Sequence, residues 1–183
     1  MNRQTPPNLV WIDLEMSGLE PDNCVILEIA TIVTDSNLKI LAEGPNIAIR
    51  HSETIYTSMD EWNTRHHNNS GLIARCRKSN YDTALAEEAT IRFLIDYTDK
   101  GTSPLCGNSI SQDRRFLYKY MPKLSEWLHY RSVDVTSFKE MCNRWRPDLP
   151  DFMKQDKHLA LEDIRESIAE MEYYKNHFIK LKQ

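Results

Sequence analysis

The chain has 183 residues, of which 40% are hydrophobic and 27% charged, and a formal net charge of −4. Such a length can bury a core without disulfide or metal staples, and the composition is that of an ordinary globular protein. An acidic balance without a long basic run excludes a protein that coats nucleic acid by charge alone. It leaves room for an enzyme that grips a few phosphates through cations, because clustered carboxylates repel phosphate until divalent ions reverse the local field.

Met1 to Asn8 is polar with two prolines, unlike a signal peptide, and residues 1–8 are expected to form a flexible N-terminus to one domain spanning 1–183. The apolar run Val25 to Val33 is interrupted by Glu28 and far too short to cross a bilayer, so no membrane partner is expected. Cys24, Cys76, Cys106 and Cys142 show no C-x-x-C spacing, which argues against a zinc site and reads as four reduced thiols in a cytoplasmic protein. A catalytic cysteine is the alternative, and no local feature singles one out.

Leu9-Val10-Trp11-Ile12 has strand character and ends at Asp13. Val25 to Thr34, broken by Glu28, and Ile40 to Ile49 predict two further strands, and short turns between the three suggest an antiparallel meander. Met59 to Cys76 is polar with scattered aromatics, as expected of short helices and loops. Ala84 to Tyr97 predicts a helix burying Leu85, Ala89, Phe93 and Leu94, with Ile91 and Ile95 widening the stripe. Pro104 to Gly107 predicts a brief buried strand, and Ser111 a cap for a helix that buries Phe116, Leu117 and Tyr120. Arg131 to Asp134 predicts a last short strand, followed by a helix through Phe138, Met141 and Trp145. A loop bracketed by Pro147 and Pro150 runs to His158, and the final helix carries Leu161, Ile164, Ile168, Met171 and Tyr174 on one stripe. Three meander strands followed by strand–helix alternation predict an α/β domain with a mixed sheet.

Three features carry chemistry. Asp13 and Glu15 stand two apart at a strand end, so both carboxylates project to one side, where a divalent cation relieves their repulsion. A solvated strand end is the plainer reading. Gly107-Asn108-Ser109-Ile110-Ser111-Gln112-Asp113 runs from a strand through a polar turn into a helix, with Asp113 in the first turn; favourable interaction with the helix dipole alone would also explain that acid. In His158-Leu159-Ala160-Leu161-Glu162-Asp163 the outer pair is five residues apart and cannot share one helical face. The economical arrangement leaves His158 in the entering loop and Asp163 beside the apolar stripe, where a lone charge is expensive unless a cation offsets it. A surface loop histidine is the plainer reading of His158.

Taken together, Trp11 through Leu19, Cys106 through Leu117 and His158 through Ser167 resemble the histidine subgroup of the DEDD exonuclease superfamily, and within it the oligoribonuclease family. The resemblance covers Leu9 to about Lys180. It implies a ribonuclease-H-like three-layer fold with a five-stranded mixed sheet, its first three strands antiparallel, flanked by helices. It implies hydrolysis of short oligoribonucleotides from the 3′ end to nucleoside 5′-monophosphates with two divalent cations, Mg²⁺ or Mn²⁺. Asp13, Glu15, Asp113 and Asp163 would be the metal ligands and His158 the general base. Leu19 and Trp62 would flank the bases, although Trp62 is equally readable as a half-buried packing residue. Ser109, Arg131 and Thr136 match positions that cap the 5′ phosphate, and Tyr130 one contributed by the partner subunit of a homodimer. His67 falls near the site by family position, yet His66-His67 also reads as a surface pair. Trp127, Tyr130, Tyr173 and Tyr174 would suit either an aromatic dimer interface or the core. Another superfamily exonuclease acting on longer DNA or RNA, or a catalytically silent RNA-binding module, are the competing readings; the silent module should lack at least one acid, and none is missing.

Overall fold

The first strand runs past Ile12 to cover Leu9–Met16 (β1) in the computed structural model, which describes residues 6–153 and 159–179. Strand alternation turns Val10, Ile12 and Leu14 to one face and Trp11, Asp13 and Glu15 to the other. Both acids therefore lie within the strand, not beyond it. Asn8, just before it, donates to the Tyr97 carbonyl at 2.9 Å, while residues 1–5 of the expected flexible terminus lie outside the described residues.

Ile26–Thr34 (β2) is buried at every position and pairs antiparallel with β1 on one side and with Ile40–Ala48 (β3) on the other. Glu28 does not break this strand. It is fully buried, stands opposite Glu15 in the ladder and is held by both terminal nitrogens of Arg75. A guanidinium fork matches a carboxylate's two oxygens, which is how a charge survives at such depth.

The polar stretch that follows folds into Glu53–Ser58 (α1), Glu61–Asn69 (α2) and Leu72–Lys78 (α3). Asp60 caps α2 by accepting from the Asn63 N–H, and Tyr56, Leu72, Ile73 and Cys76 pack on Leu27. Thr83–Leu94 (α4) is capped by Asp82 and stops before Tyr97; Leu94 is buried as expected, but Leu85 and Ile95, expected inside, are exposed, and Ala86 and Thr90 are buried in their place.

Pro104–Gly107 (β4) and Ser111–Tyr120 (α5) fall where the sequence places them, but Ser111 is the first helical residue and makes no capping bond. Pro122–Trp127 (α6) was not anticipated; a proline in its first turn pre-sets the backbone there. His129–Asp134 (β5) begins two residues early, Asp134 caps Val135–Trp145 (α7), and Ala160–His177 (α8) closes the described chain.

The sheet order is β3-β2-β1-β4-β5, with β4 and β5 parallel to β1. This is the expected mixed sheet. Val10, Ile12 and Leu14 meet Ala86, Leu94, Phe116, Leu117 and Leu124 of α4, α5 and α6 in one layer. On the opposite face Trp11, Ile32 and Cys106 meet Val135, Cys142, Ile164 and Ile168 of α7 and α8. The sheet is thus sandwiched between helical layers. Tyr174 belongs to the second core, Trp127 packs against the first and donates to Thr98, and Tyr173 donates to the Pro150 carbonyl; of the four aromatics considered for an interface, Tyr130 alone is exposed.

Candidate active site

Three parallel strands end on the same side of the sheet. In open α/β sheets that carboxyl edge is where ligands bind, since the chain leaves adjacent strands in different directions there. β1 and β4 pair only through Val10–Leu105 and Trp11–Cys106, so the rest of β1 is unpaired along that side. Gly107 permits the close approach that precedes this divergence: a Cβ there would lie 3.3 Å from the Ile12 carbonyl oxygen and 2.8 Å from Ile110 Cδ1.

The freed Leu14 N–H needs an acceptor. Asp113, one turn into α5, supplies it through Oδ1 at 3.1 Å and so stands beside β1. On the face turned toward α8, Asp13 and Glu15 meet Asp163, and one carboxylate oxygen from each lies within 4.8 Å of the others. All four acids named from the sequence therefore converge. α8 begins at Ala160, which leaves room for a histidine ahead of the helix, but His158 itself lies outside the described residues.

Burial, joined for Asp13 and Glu15 by repulsion from neighbouring carboxylates, raises three of these acids toward the protonated form. Asp13 is pushed well above the usual carboxylate range by burial first, then by Asp113, Glu15, Asp163 and Glu28. Burial, with Asp163, Glu28 and Asp113, raises Glu15 to about 8, opposed by Arg75. Burial raises Asp113 to about 7 against the stabilising Leu14 N–H. Crowded carboxylates with hard oxygen donors are a donor set for divalent cations, which relieve by charge what the protein otherwise relieves by protonation.

His67 is buried, not part of a surface pair. Its Nε2 lies 2.9 Å from the Met16 carbonyl and must donate there, so the neutral ring turns its Nδ1 lone pair toward Glu15, 3.9 Å away. Burial holds this imidazole below its ordinary pKa. His66 stacks on Trp62 with ring centroids 4.8 Å apart, and Trp62 is 59% exposed, a platform more than a packing residue. Leu19, 70% exposed, projects from a loop bound to α5: Gln112 donates to the Leu19 carbonyl, Arg115 pairs with Glu20, and the one hydroxyl proton of Tyr120 serves the Pro21 and Cys24 carbonyls, each 2.7 Å away. Ser109 and Thr136 meet at the ends of β4 and β5, with hydroxyls 3.2 Å apart. Arg131 and Tyr130 are exposed on β5, the guanidinium 5.2 Å from the ring.

Of the four cysteines, burial makes poor nucleophiles of Cys76, Cys106 and Cys142. All four are free thiols, three of them buried, and burial drives the Cys76 thiol up to about 11 and Cys106 higher still. The sequence assigns no role to Arg75 or Glu170 and reads Glu28 only as a break in a strand and Asn108 only as part of a turn. Glu28 did leave a signal, an acid between two apolar residues in a strand too apolar to expose it.

A family model described as an exonuclease matches residues 10–171. The oligoribonuclease of Alcanivorax borkumensis is 61% identical over 173 residues, covering 94% of this chain and 96% of the relative. That of Pseudomonas fluorescens is 60% identical over 178 residues, covering 97% and 99%. The chain belongs to the oligoribonuclease family. Among solved structures, Escherichia coli exonuclease I in complex with a dT13 oligonucleotide superposes with a TM-score of 0.71 at 17% identity. The match covers 94% of this chain but 41% of that one, so it speaks for the fold alone. A moderately thermophilic exonuclease I from Methylocaldum szegediense gives 0.69 at 16% identity, covering 94% and 41%. The exonuclease fold and the mixed sheet expected of an oligoribonuclease family member are thus the same observation made twice.

Proposed function

We propose that this chain is a 3′→5′ exoribonuclease that hydrolyses RNA of two to a few nucleotides into nucleoside 5′-monophosphates, using two divalent cations, Mg²⁺ or Mn²⁺. The observation that carries the reading is the convergence of Asp13, Glu15 and Asp163 within 4.8 Å, with Asp113 fixed to the same strand at Leu14. The family relationship supports it at the level of the reaction. Asp13, Glu15, Asp113 and Asp163 hold the cations. When bound, these ions neutralise phosphate charge and make water a stronger acid at the scissile bond.

His158 accepts the proton of the attacking water; an imidazole with an ordinary pKa of about 6.5 is largely neutral at pH 7 and suited to that task. Its position ahead of α8 would let it join the site as substrate binds. Leu19 and the exposed face of Trp62 bracket the bases, which gives contacts tolerant of sequence. Ser109, Arg131 and Thr136 close the far end around the 5′ phosphate, with Tyr130 from a second copy in a homodimer. Closure there limits substrate length, in keeping with a net charge of −4 and no long basic groove. Buried free thiols suit the cytoplasm, and no described helix is long and apolar enough to cross a membrane.

A timed digestion of 5′-labelled RNAs, from dinucleotides to about ten-mers, with Mg²⁺ or chelator tests the proposal. It expects shortening from the 3′ end, fastest on the shortest chains and absent with chelator. Faster cleavage of long RNA or of DNA would replace it with a general exonuclease.

A further inference from the structure

Beside the acid cluster stands a second group of ligand-bearing side chains. One donor atom from each of Glu15, His66 and His67 lies within 4.8 Å of the others. Adjacent residues on a helix point about 100° apart and do not normally face one another. In the last turn of α2 they do: the two imidazoles stand edge-on, with centroids 5.2 Å apart and planes at 75°, and Trp62, stacked on His66, holds the outer ring.

His67 carries the argument. It is 2% exposed, and its Nδ1 is buried without a hydrogen bond to any described residue. A buried acceptor left in that state is costly. The other ring nitrogen, Nε2, is tied to the Met16 carbonyl at 2.9 Å, which sets the tautomer and aims the Nδ1 lone pair at Glu15 Oε2, 3.9 Å away. An imidazole anchored through one nitrogen to a backbone carbonyl, with the other turned toward a carboxylate, is how proteins orient a histidine that ligates a metal. Donor atoms about 2 Å from a tetrahedral ion stand roughly 3.4 Å from one another, so small turns of Glu15 and of the half-buried His66 close this group around an ion.

The donors decide which ion. Two imidazole nitrogens and one carboxylate, with a fourth position open, suit Zn²⁺ and its transition-metal neighbours, whereas Mg²⁺ takes a nearly complete shell of oxygens. We propose that Glu15, His66 and His67 form a further cation site, selective for a transition-metal ion of the Zn²⁺ class, and that its occupation inhibits the enzyme. The ion draws Glu15 toward α2 and away from Asp13 and Asp163, with which it otherwise converges. The inhibition rests on the proposed hydrolysis; the binding does not.

Co²⁺ is the probe, because nitrogen-ligated, four-coordinate Co²⁺ absorbs visible light far more strongly than six-coordinate Co²⁺ held by oxygens. It is titrated without RNA, over a fixed background of Mg²⁺, into wild type, His66→Gln and His67→Gln, with folding followed by thermal melting. Wild type should develop the strong absorption at one Co²⁺ per chain and lose it when Zn²⁺ is added. Either substitution should abolish the absorption or raise the Co²⁺ needed by at least about tenfold, the loss of one of three ligands. No strong absorption in wild type, or the wild-type titration in either folded variant, overturns the site. Should His67→Gln fail to fold, the half-buried His66→Gln decides alone. In a parallel digestion, micromolar Zn²⁺ should slow Mg²⁺-supported dinucleotide hydrolysis by wild type and leave His66→Gln closer to its own Zn²⁺-free rate. Equal inhibition of the two would mean that Zn²⁺ acts in the acid cluster, and would overturn the inhibitory role. Because the absorption is read without substrate, failure of the site and failure of the exoribonuclease reading are separate results.

Discussion

At the scale of single residues, the protein invests charge where charge is least comfortable. Asp113 serves twice, as acceptor for a strand N–H that has lost its ladder and as a member of the acid cluster. Asp113→Asn keeps an oxygen for Leu14 but removes the negative charge. It should leave the melting temperature near wild type while the rate of dinucleotide hydrolysis falls on the order of 10³-fold, the scale expected when one electrostatic element of a reaction site is lost. Folding and rate are read from a thermal melt and a digestion; an active Asp113→Asn variant contradicts the assignment. The raised carboxylates also give metal-free stability a definite sign. Glu15 titrates near its ordinary 4.5 in the unfolded chain and about 8 when folded, and Asp113 near 3.8 and about 7. Between those limits the folded state binds more protons than the unfolded, so their contribution is complete below about 4 and is lost as pH rises through about 7 to 8. Chelator-treated protein should therefore melt at progressively lower temperature across that window, and saturating Mg²⁺ should flatten the slope. A metal-free melting temperature that rises with pH over the same window would contradict the electrostatic reading.

At the scale of elements, what the sequence disclosed depended on the range of the interaction. Alternation in Leu9–Met16 put Asp13 and Glu15 on one face, and that needs no knowledge of the rest of the chain. The helix through Leu161 and Ile164 was legible from its stripe, with Asp163 beside it. Glu28 was misread as an interruption because its partner Arg75 lies 47 residues away on α3, where no local pattern links them. α6 was missed because six residues are too few to show a period. The turn at Asn108 and Ser109 was noticed as a spacing, but its bonds to α7 and α8 exist only once the layers pack. Gly107 shows how local identity and long-range packing meet. Gly107→Ala would press a Cβ against the rigid Ile12 carbonyl and prise β4 from β1, at a cost of about 1–3 kcal/mol. A thermal melt should show the loss, and the Asn108–Ser109 turn should move away from the acids. An unchanged melting temperature would mean that β4 and β1 are not held as tightly as the geometry indicates.

At the scale of the whole molecule, the proposed function depends on four carboxylates from three elements arriving at one edge of the sheet. β1 delivers two, the layer of α4, α5 and α6 sends Asp113 around the strand's unpaired side, and the opposite layer sends Asp163. The resemblance named these residues; why they meet is answered by the β1–β4 divergence and by the two helical layers, neither of which the sequence displays. On the proposed function these four carboxylates act as one cation pocket. Calorimetric titration of Mn²⁺ into wild type and into Asp13→Asn, Glu15→Gln, Asp113→Asn and Asp163→Asn tests it most directly. Each substitution should weaken Mn²⁺ binding by at least about tenfold, the loss of one charged ligand, whereas a folded variant that binds Mn²⁺ as the wild type does would show that its carboxylate stands outside the pocket and would contradict the account.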